Sequence, residues 1–229
     1  QQIPSFEPVV RLATGFSFLE GPVWLEEHQA LLFTDIPGNS ILRWRHNFGV
    51  DTWLAASHFA IGLTRGSDGS VLCCEHVTRS LTALGVATDG SHDGTRSVLA
   101  RAVSGVPLNS TNDVIECPDG KILFTDPAFG IREENGELFG YEQAMERPCD
   151  VLLVTDDPDD AAVHVTGIHR PNGLCLSLEG EFLYVTDSST RFHSVFVVRS
   201  AGAAPEHLWT MPVGVPDGII TNSSGHIWV

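Results

Sequence analysis

One recurring pentad constrains this chain more than any other feature. Leu31-Leu32-Phe33-Thr34-Asp35 returns as Ile122-Leu123-Phe124-Thr125-Asp126 and as Leu183-Tyr184-Val185-Thr186-Asp187, while Val71-Leu72-Cys73-Cys74-Glu75 fills the same slot more loosely. A second pattern precedes it: a polar residue, then Gly or Asp, then two apolar residues. It occurs at Glu20-Gly21-Pro22-Val23, Asn112-Asp113-Val114-Ile115, Asn172-Gly173-Leu174-Cys175 and Asp217-Gly218-Ile219-Ile220, and in its loosest form at Ile61-Gly62-Leu63-Thr64. Turns ending in glycine join the two runs, as at Asp68-Gly69, Asp119-Gly120, Glu179-Gly180 and Ser224-Gly225. Short apolar runs bounded by Gly, Asp, Asn and Ser are strands of an all-β protein. Helical periodicity is nearly absent, and the most helix-like stretch, 136–147, is too short and polar to set the fold.

The leading residues of the first strands are spaced 41, 51, 60 and 45 residues apart. Two further strands follow in each repeat, at Ile41–Trp44 and Thr52–Ala55 in the first and at Val195–Val198 and Glu206–Trp209 in the fourth. Four antiparallel strands per repeat of this length make a β-propeller blade, whereas a β-sandwich does not repeat its own sequence at such a period. The expectation is one domain over residues 1–229, a six-bladed β-propeller. At the observed spacing six blades need roughly 295 residues, and the chain has 229, ending inside the apolar run Ile227-Trp228-Val229. The chain therefore reads as a C-terminally truncated ring holding about four blades and the start of a fifth. Residues 7–12 are the expected outer strand of the last blade.

Propeller geometry gives the leading residues a meaning. The first strand of each blade lies innermost, and its N-terminal end opens on the central channel. Glu20, Ile61, Asn112, Asn172 and Asp217 should therefore converge, and four of the five bring side-chain oxygens. Carboxylates gathered in one place repel and desolvate poorly unless a cation sits among them. Oxygen donors of this kind suit a hard divalent cation, calcium or magnesium. Zinc, manganese or iron could also occupy a site with three ligands and an open position.

The same residues carry a family resemblance. Glu20-Gly21-Pro22-Val23-Trp24, Asn109-Ser110-Thr111-Asn112-Asp113-Val114, Phe124-Thr125-Asp126-Pro127, Arg170-Pro171-Asn172-Gly173 and Val215-Pro216-Asp217-Gly218 resemble, in order, the gluconolactonase / senescence-marker-protein-30 / luciferin-regenerating-enzyme family. Leu32–Asn39 and Cys74-Glu75-His76 are similar to its microbial gluconolactonase branch. The resemblance implies six blades with one divalent metal in the channel, held by Glu20, Asn172 and Asp217. It implies that Asn112 meets substrate or the metal's surroundings, that Asp217 is the general base, and that a sugar lactone is opened by hydrolysis. Ile61 departs from the asparagine that microbial relatives carry in the second blade.

The chemistry needs a polarised carbonyl and an activated water, and a divalent cation can supply both. Asp217 would take the water's proton. A lactone needs no covalent nucleophile, and no G-x-S-x-G elbow is present. His76, Asp126 and Arg170 are further candidates for substrate contact. Asp126 is a candidate because it opens the insert that runs to Asp150, a lid or specificity loop. Asp35, Glu75 and Asp187, at the equivalent place, read as hydrogen-bond acceptors that stabilise blades. Pro118-Asp119-Gly120 reads as an ordinary turn. An organophosphate or other ester hydrolase and a non-catalytic scaffold with a structural metal are the alternatives.

With 13 basic and 29 acidic residues the formal charge is −16. That excludes a phosphate-binding footprint, so nucleic acid is no partner. No apolar run approaches the length of a membrane span. Five cysteines without a C-x-x-C pair read as reduced thiols, and no signal sequence stands at Gln1. These features lead to a cytoplasmic expectation, with a mature secreted or periplasmic form left open, and the oligomeric state is not legible.

Overall fold

The computed structural model describes residues 9–132, 140–189 and 193–229. Among them the chain forms four four-stranded antiparallel sheets, each built from consecutive strands. Blade one comprises Leu19–Leu25, Ala30–Asp35, Ser40–Arg45 and Gly49–Ala55. Blade two comprises Ala60–Arg65, Val71–Glu75, Ser80–Val86 and His92–Ala100. Blade three comprises Val114–Glu116, Ile122–Thr125, Val151–Leu153 and Ala162–Val165. Blade four comprises Pro171–Leu176, Leu183–Asp187, Ser194–Val198 and Glu206–Thr210. A fifth pair, Ile220–Thr221 and Ile227–Trp228, follows, and a small hairpin of Ala102–Val103 and Val106–Pro107 links blades two and three. The architecture is an all-β propeller with four-stranded blades. Residues 9–12 form no strand, Glu7 and Pro8 lie outside the described residues, and 140–147 is not helical.

The apolar core lies between blades, which explains the continuous hydrophobic runs of the second strands. Successive side chains of a strand point to opposite faces. In blade two, Val71 and Cys73 pack toward Leu32, Ile41 and Trp53 of blade one. Leu72 and Cys74 pack toward Val114, Phe124 and Leu152 of blade three. Leu123 then faces Leu174, Leu183 and Val185 of blade four. Phe124 and Leu152 are completely buried.

The Thr-Asp end of the pentad has a division of labour. The threonine reaches the next blade: Thr34 Oγ1 donates to the Ile61 carbonyl at 3.1 Å, Thr125 Oγ1 to Asn172 at 2.7 Å, and Thr186 Oγ1 to Asp217 at 2.7 Å. Each acceptor is the channel residue of the following blade. The aspartate holds its own blade. Asp35 accepts the N–H groups of Ser17 and Phe18, Asp126 that of Asn109, and Asp187 those of His169, Arg170 and Ser189. All of these donors except Ser189 lie in the segments that lead into the inner strands. Blade two carries Cys74-Glu75 instead, and there Glu75 is paired with Arg96 at 2.6 Å and accepts the Thr82 hydroxyl at 2.9 Å.

Glycine after the channel residue has an equally direct cause. Gly62 donates its N–H to the Asn112 carbonyl at 2.9 Å, and Gly173 donates to the Asp217 carbonyl at 3.2 Å. A β-carbon would lie 2.2 Å and 2.4 Å from those oxygens. No side chain larger than hydrogen fits so close an approach.

Replacing Thr125 by valine keeps the shape and removes the hydroxyl, leaving a buried carbonyl unsatisfied. Thr125→Val should lower the unfolding free energy by about 1–3 kcal/mol in denaturant titration. Thr52→Val, on the exposed outer strand of blade one, should stay within about 0.5 kcal/mol of the parent.

Candidate functional site

The five leading residues meet. Inner strands of successive blades contact one another around the channel, and Glu20, Ile61, Asn112, Asp113, Asn172 and Asp217 line one cavity of about 400 Å³. Asn112 and Asn172 are buried, Glu20 is half-buried, and Asp217 completes the wall of the cavity. The Glu20 and Asp217 carboxyls come near enough to act on each other's charge, and the Asn172 side chain lies beside Asp217. The backbone holds this cluster in place. Asn112 donates its N–H to Thr125 O at 3.0 Å and accepts from Gly62, while the carbonyls of Asn172 and Asp217 are held by the threonines described above.

The electrostatics follow from crowding carboxylates where little water reaches. Burial first, and the Asp217 charge second, push the Glu20 carboxyl up to about 7. Burial among its neighbours also raises Asp217, opposed by its hydrogen bonds from Asn172 and Glu20. Asp113, raised to about 6 chiefly by burial, is a third acid in the same wall. Its position was legible as the residue that replaces glycine in one repeat out of five, although its sequence neighbours suggest only a turn cap. Among the described residues the cavity wall carries no Lys, Arg or His.

The remaining candidates lie outside this wall. His76 is fully buried beneath the insert of blade three, and a β-carbon at Gly130 would lie 2.4 Å from its ring. Asp126 is fully buried, its Oδ2 accepting from Asn109 N at 3.0 Å and paired with Arg147 at 2.5 Å. Arg147 also reaches Asp150 at 2.8 Å, so one guanidinium pins both ends of the insert. Arg170 is buried with its guanidinium 4.0 Å from the centre of the Phe129 ring. All three residues anchor the insert at the channel end of the blades, because it leaves the second strand where the inner strands begin. Residues 133–139 of that insert lie outside the described residues. Asp119 bonds Lys121 within its turn.

A family model described as the SMP-30/Gluconolactonase/LRE-like region matches residues 18–229. The chain belongs to this family. A gluconolactonase of Zymomonas mobilis is 26% identical over 96% of this chain and 66% of its own length. Pentonolactonase XacC of Haloferax volcanii is 28% identical over 91% of this chain and 65% of its own. The solved structure of a gluconolactonase from Xanthomonas campestris superposes with a TM-score of 0.79 at 30% identity, covering 93% of this chain and 69% of that one. The chain thus spans just under two thirds of the two curated relatives.

The divalent metal that the family resemblance implies fits this site. Glu20, Asn172 and Asp217 offer two carboxylates and an amide in one cavity wall, with no cationic side chain among its described residues to neutralise them. Among the described residues no three His, Cys, Asp or Glu side chains form a metal-holding group; the Asn172 amide stands in the same wall as the two carboxylates. Such a set is the chemistry of a hard cation.

Glu20 binds its proton more tightly folded than unfolded, because its carboxyl rises from an ordinary 4.5 to about 7. Its contribution to stability is therefore complete below about pH 4.5 and lost as pH rises through about 7. The cation-free protein should show this loss between those values in thermal melts, and Glu20→Gln should flatten it. Saturating divalent cation should suppress it.

Proposed function

We propose that this chain forms the catalytic part of a metal-dependent lactonase that opens the ester ring of a sugar lactone, on a six-bladed ring. The observation that carries the proposal is the contact of Glu20 with Asp217 beside the Asn172 amide in an open channel cavity. The family membership and the lactonase names of its relatives support the reaction class. Five free cysteines fit a reducing compartment, and a cytoplasmic setting belongs to the same proposal.

Glu20, Asn172 and Asp217 would hold the cation. Bound there, it would polarise the lactone carbonyl and make water more acidic. Calcium is favoured, because the donors are all oxygen. The chain's own residues supply the rest. Asp217 lines the cavity beside Glu20 and Asn172, so it is placed to take the proton of the attacking water. The ring oxygen leaves as an alcohol, and the proton on Asp217 can pass to it. Asn172 holds Asp217 in place by its side-chain bond. Asn112, buried in the cavity wall, would orient the hydroxyl groups of a sugar through its amide. Ile61 presents an apolar surface to the ring carbons.

The full-length protein should contain one divalent metal per chain by elemental analysis and hydrolyse sugar lactones in a panel that includes a phosphotriester. Asp217→Asn should lower kcat by about 10²–10⁴. Failure on every lactone with turnover of the phosphotriester would move the site to another ester class. A fully active Asp217→Asn protein would remove the base.

A further inference from the structure

Position 113 breaks the pattern that the other inner strands follow. The residue after the channel position is Gly21, Gly62, Gly173 and Gly218 elsewhere, and Asp113 in blade three. Glycine is sufficient to close such a junction, as the Gly62 and Gly173 bonds to the next blade demonstrate. At the junction between blades three and four a carboxylate takes over that role. Asp113 Oδ2 accepts from the Leu174 N–H at 3.0 Å, and Oδ1 accepts from Val114 N–H at 2.9 Å. Its backbone N–H donates to Thr125 Oγ1 at 3.0 Å, and that hydroxyl donates onward to the Asn172 carbonyl at 2.7 Å. The Asp113 carboxylate therefore grips the Asn172 segment at residue 174, while its backbone N–H joins the threonine link to residue 172 as the Gly173 N–H joins the equivalent link in blade four. Its charge also acts on Glu20 and on Asp217 in the same cavity wall.

A third carboxylate beside two others is unfavourable in a protein that needs only a backbone junction there. The arrangement becomes favourable when a cation shares the cavity. We propose that Asp113 is a positioning residue for the cation site, orienting the Asn172 amide and adding negative field to Glu20 and Asp217 without itself being a ligand. This rests on the reading of Glu20, Asn172 and Asp217 as the ligand set. It deepens that reading by explaining why blade three alone departs from glycine. Groups that act behind metal ligands in this way typically change affinity by about 10–100-fold.

The test compares the full-length parent, Asp113→Gly and Asp113→Asn. Calcium chloride is titrated into each cation-free protein by calorimetry, and the cation-free melting temperature is recorded alongside. Asp113→Gly restores the residue of the other four repeats, and Asp113→Asn keeps an acceptor for Leu174 while removing the charge. Both should bind calcium about 10–100-fold more weakly, with cation-free melting temperatures within about 4 °C of the parent. Should Asp113→Gly not fold, Asp113→Asn carries the measurement. Parent-like affinity in the folded variants overturns the proposal, whether or not their stability has fallen, since a purely structural residue would lower stability alone. A parent that takes up no divalent cation overturns the ligand reading and this inference together.

Discussion

The threonine hydroxyl at the end of the second strands of blades one, three and four is the bond on which the site depends. In blades three and four it accepts an N–H from its own inner strand and donates to the carbonyl of the next blade's channel residue. One small group thereby fixes the spacing between neighbouring inner strands, and with it the position of Asn172 and Asp217. The hydroxyl is buried, so its alternatives to this pairing are unsatisfied donors and acceptors rather than water. Apolar packing between blades supplies most of the driving force, but packing is non-directional and tolerates sliding. The hydroxyl relay sets the register, and the aspartate beside it ties down the segment that enters the same blade.

Close control of register matters because of what the inner strands bring together. Glu20, Asp113 and Asp217 come from blades one, three and the fifth pair, and no one of them would be unusual alone. Assembled, they form an acidic pocket without a neutralising side chain, and burial drives their carboxyls upward. The scaffold holds this unfavourable arrangement, and a bound cation would relieve it. The site is thus a place where the fold's stability and its chemistry are in tension, as functional sites commonly are.

Much of this was legible because the repeat carries it. The pentad Leu31–Asp35 and its copies mark the second strands, and their period alone identifies a propeller. The leading residues 20, 61, 112, 172 and 217 follow from blade geometry, and all five line one cavity. The aspartates of the repeat read as acceptors and serve as acceptors. His76, Asp126 and Arg170 were harder, because they stand near the channel motifs in sequence. Proximity along the chain does not say which way a side chain turns, and none of the three is among the residues that line the cavity of Glu20 and Asp217. Arg147, which pins that insert through two buried carboxylates, belongs to no repeat and gave no sequence signal.

The amino-acid sequence by itself determined the blade, because alternation, turn glycines and the Thr-Asp ending are local properties that each repeat states again. It also determined which residues stand at the head of each inner strand, since that is a position within a repeat. Only the tertiary structure decided how close those heads come and what fills the space between them. The contact of Glu20 with Asp217 joins the first blade to the last strand pair, and it is set by the twist and packing of every blade between. The same is true of Asp113, whose carboxylate finds the Leu174 N–H across a blade boundary. Charge repulsion and desolvation depend on distance and burial, and those are quantities no local pattern contains.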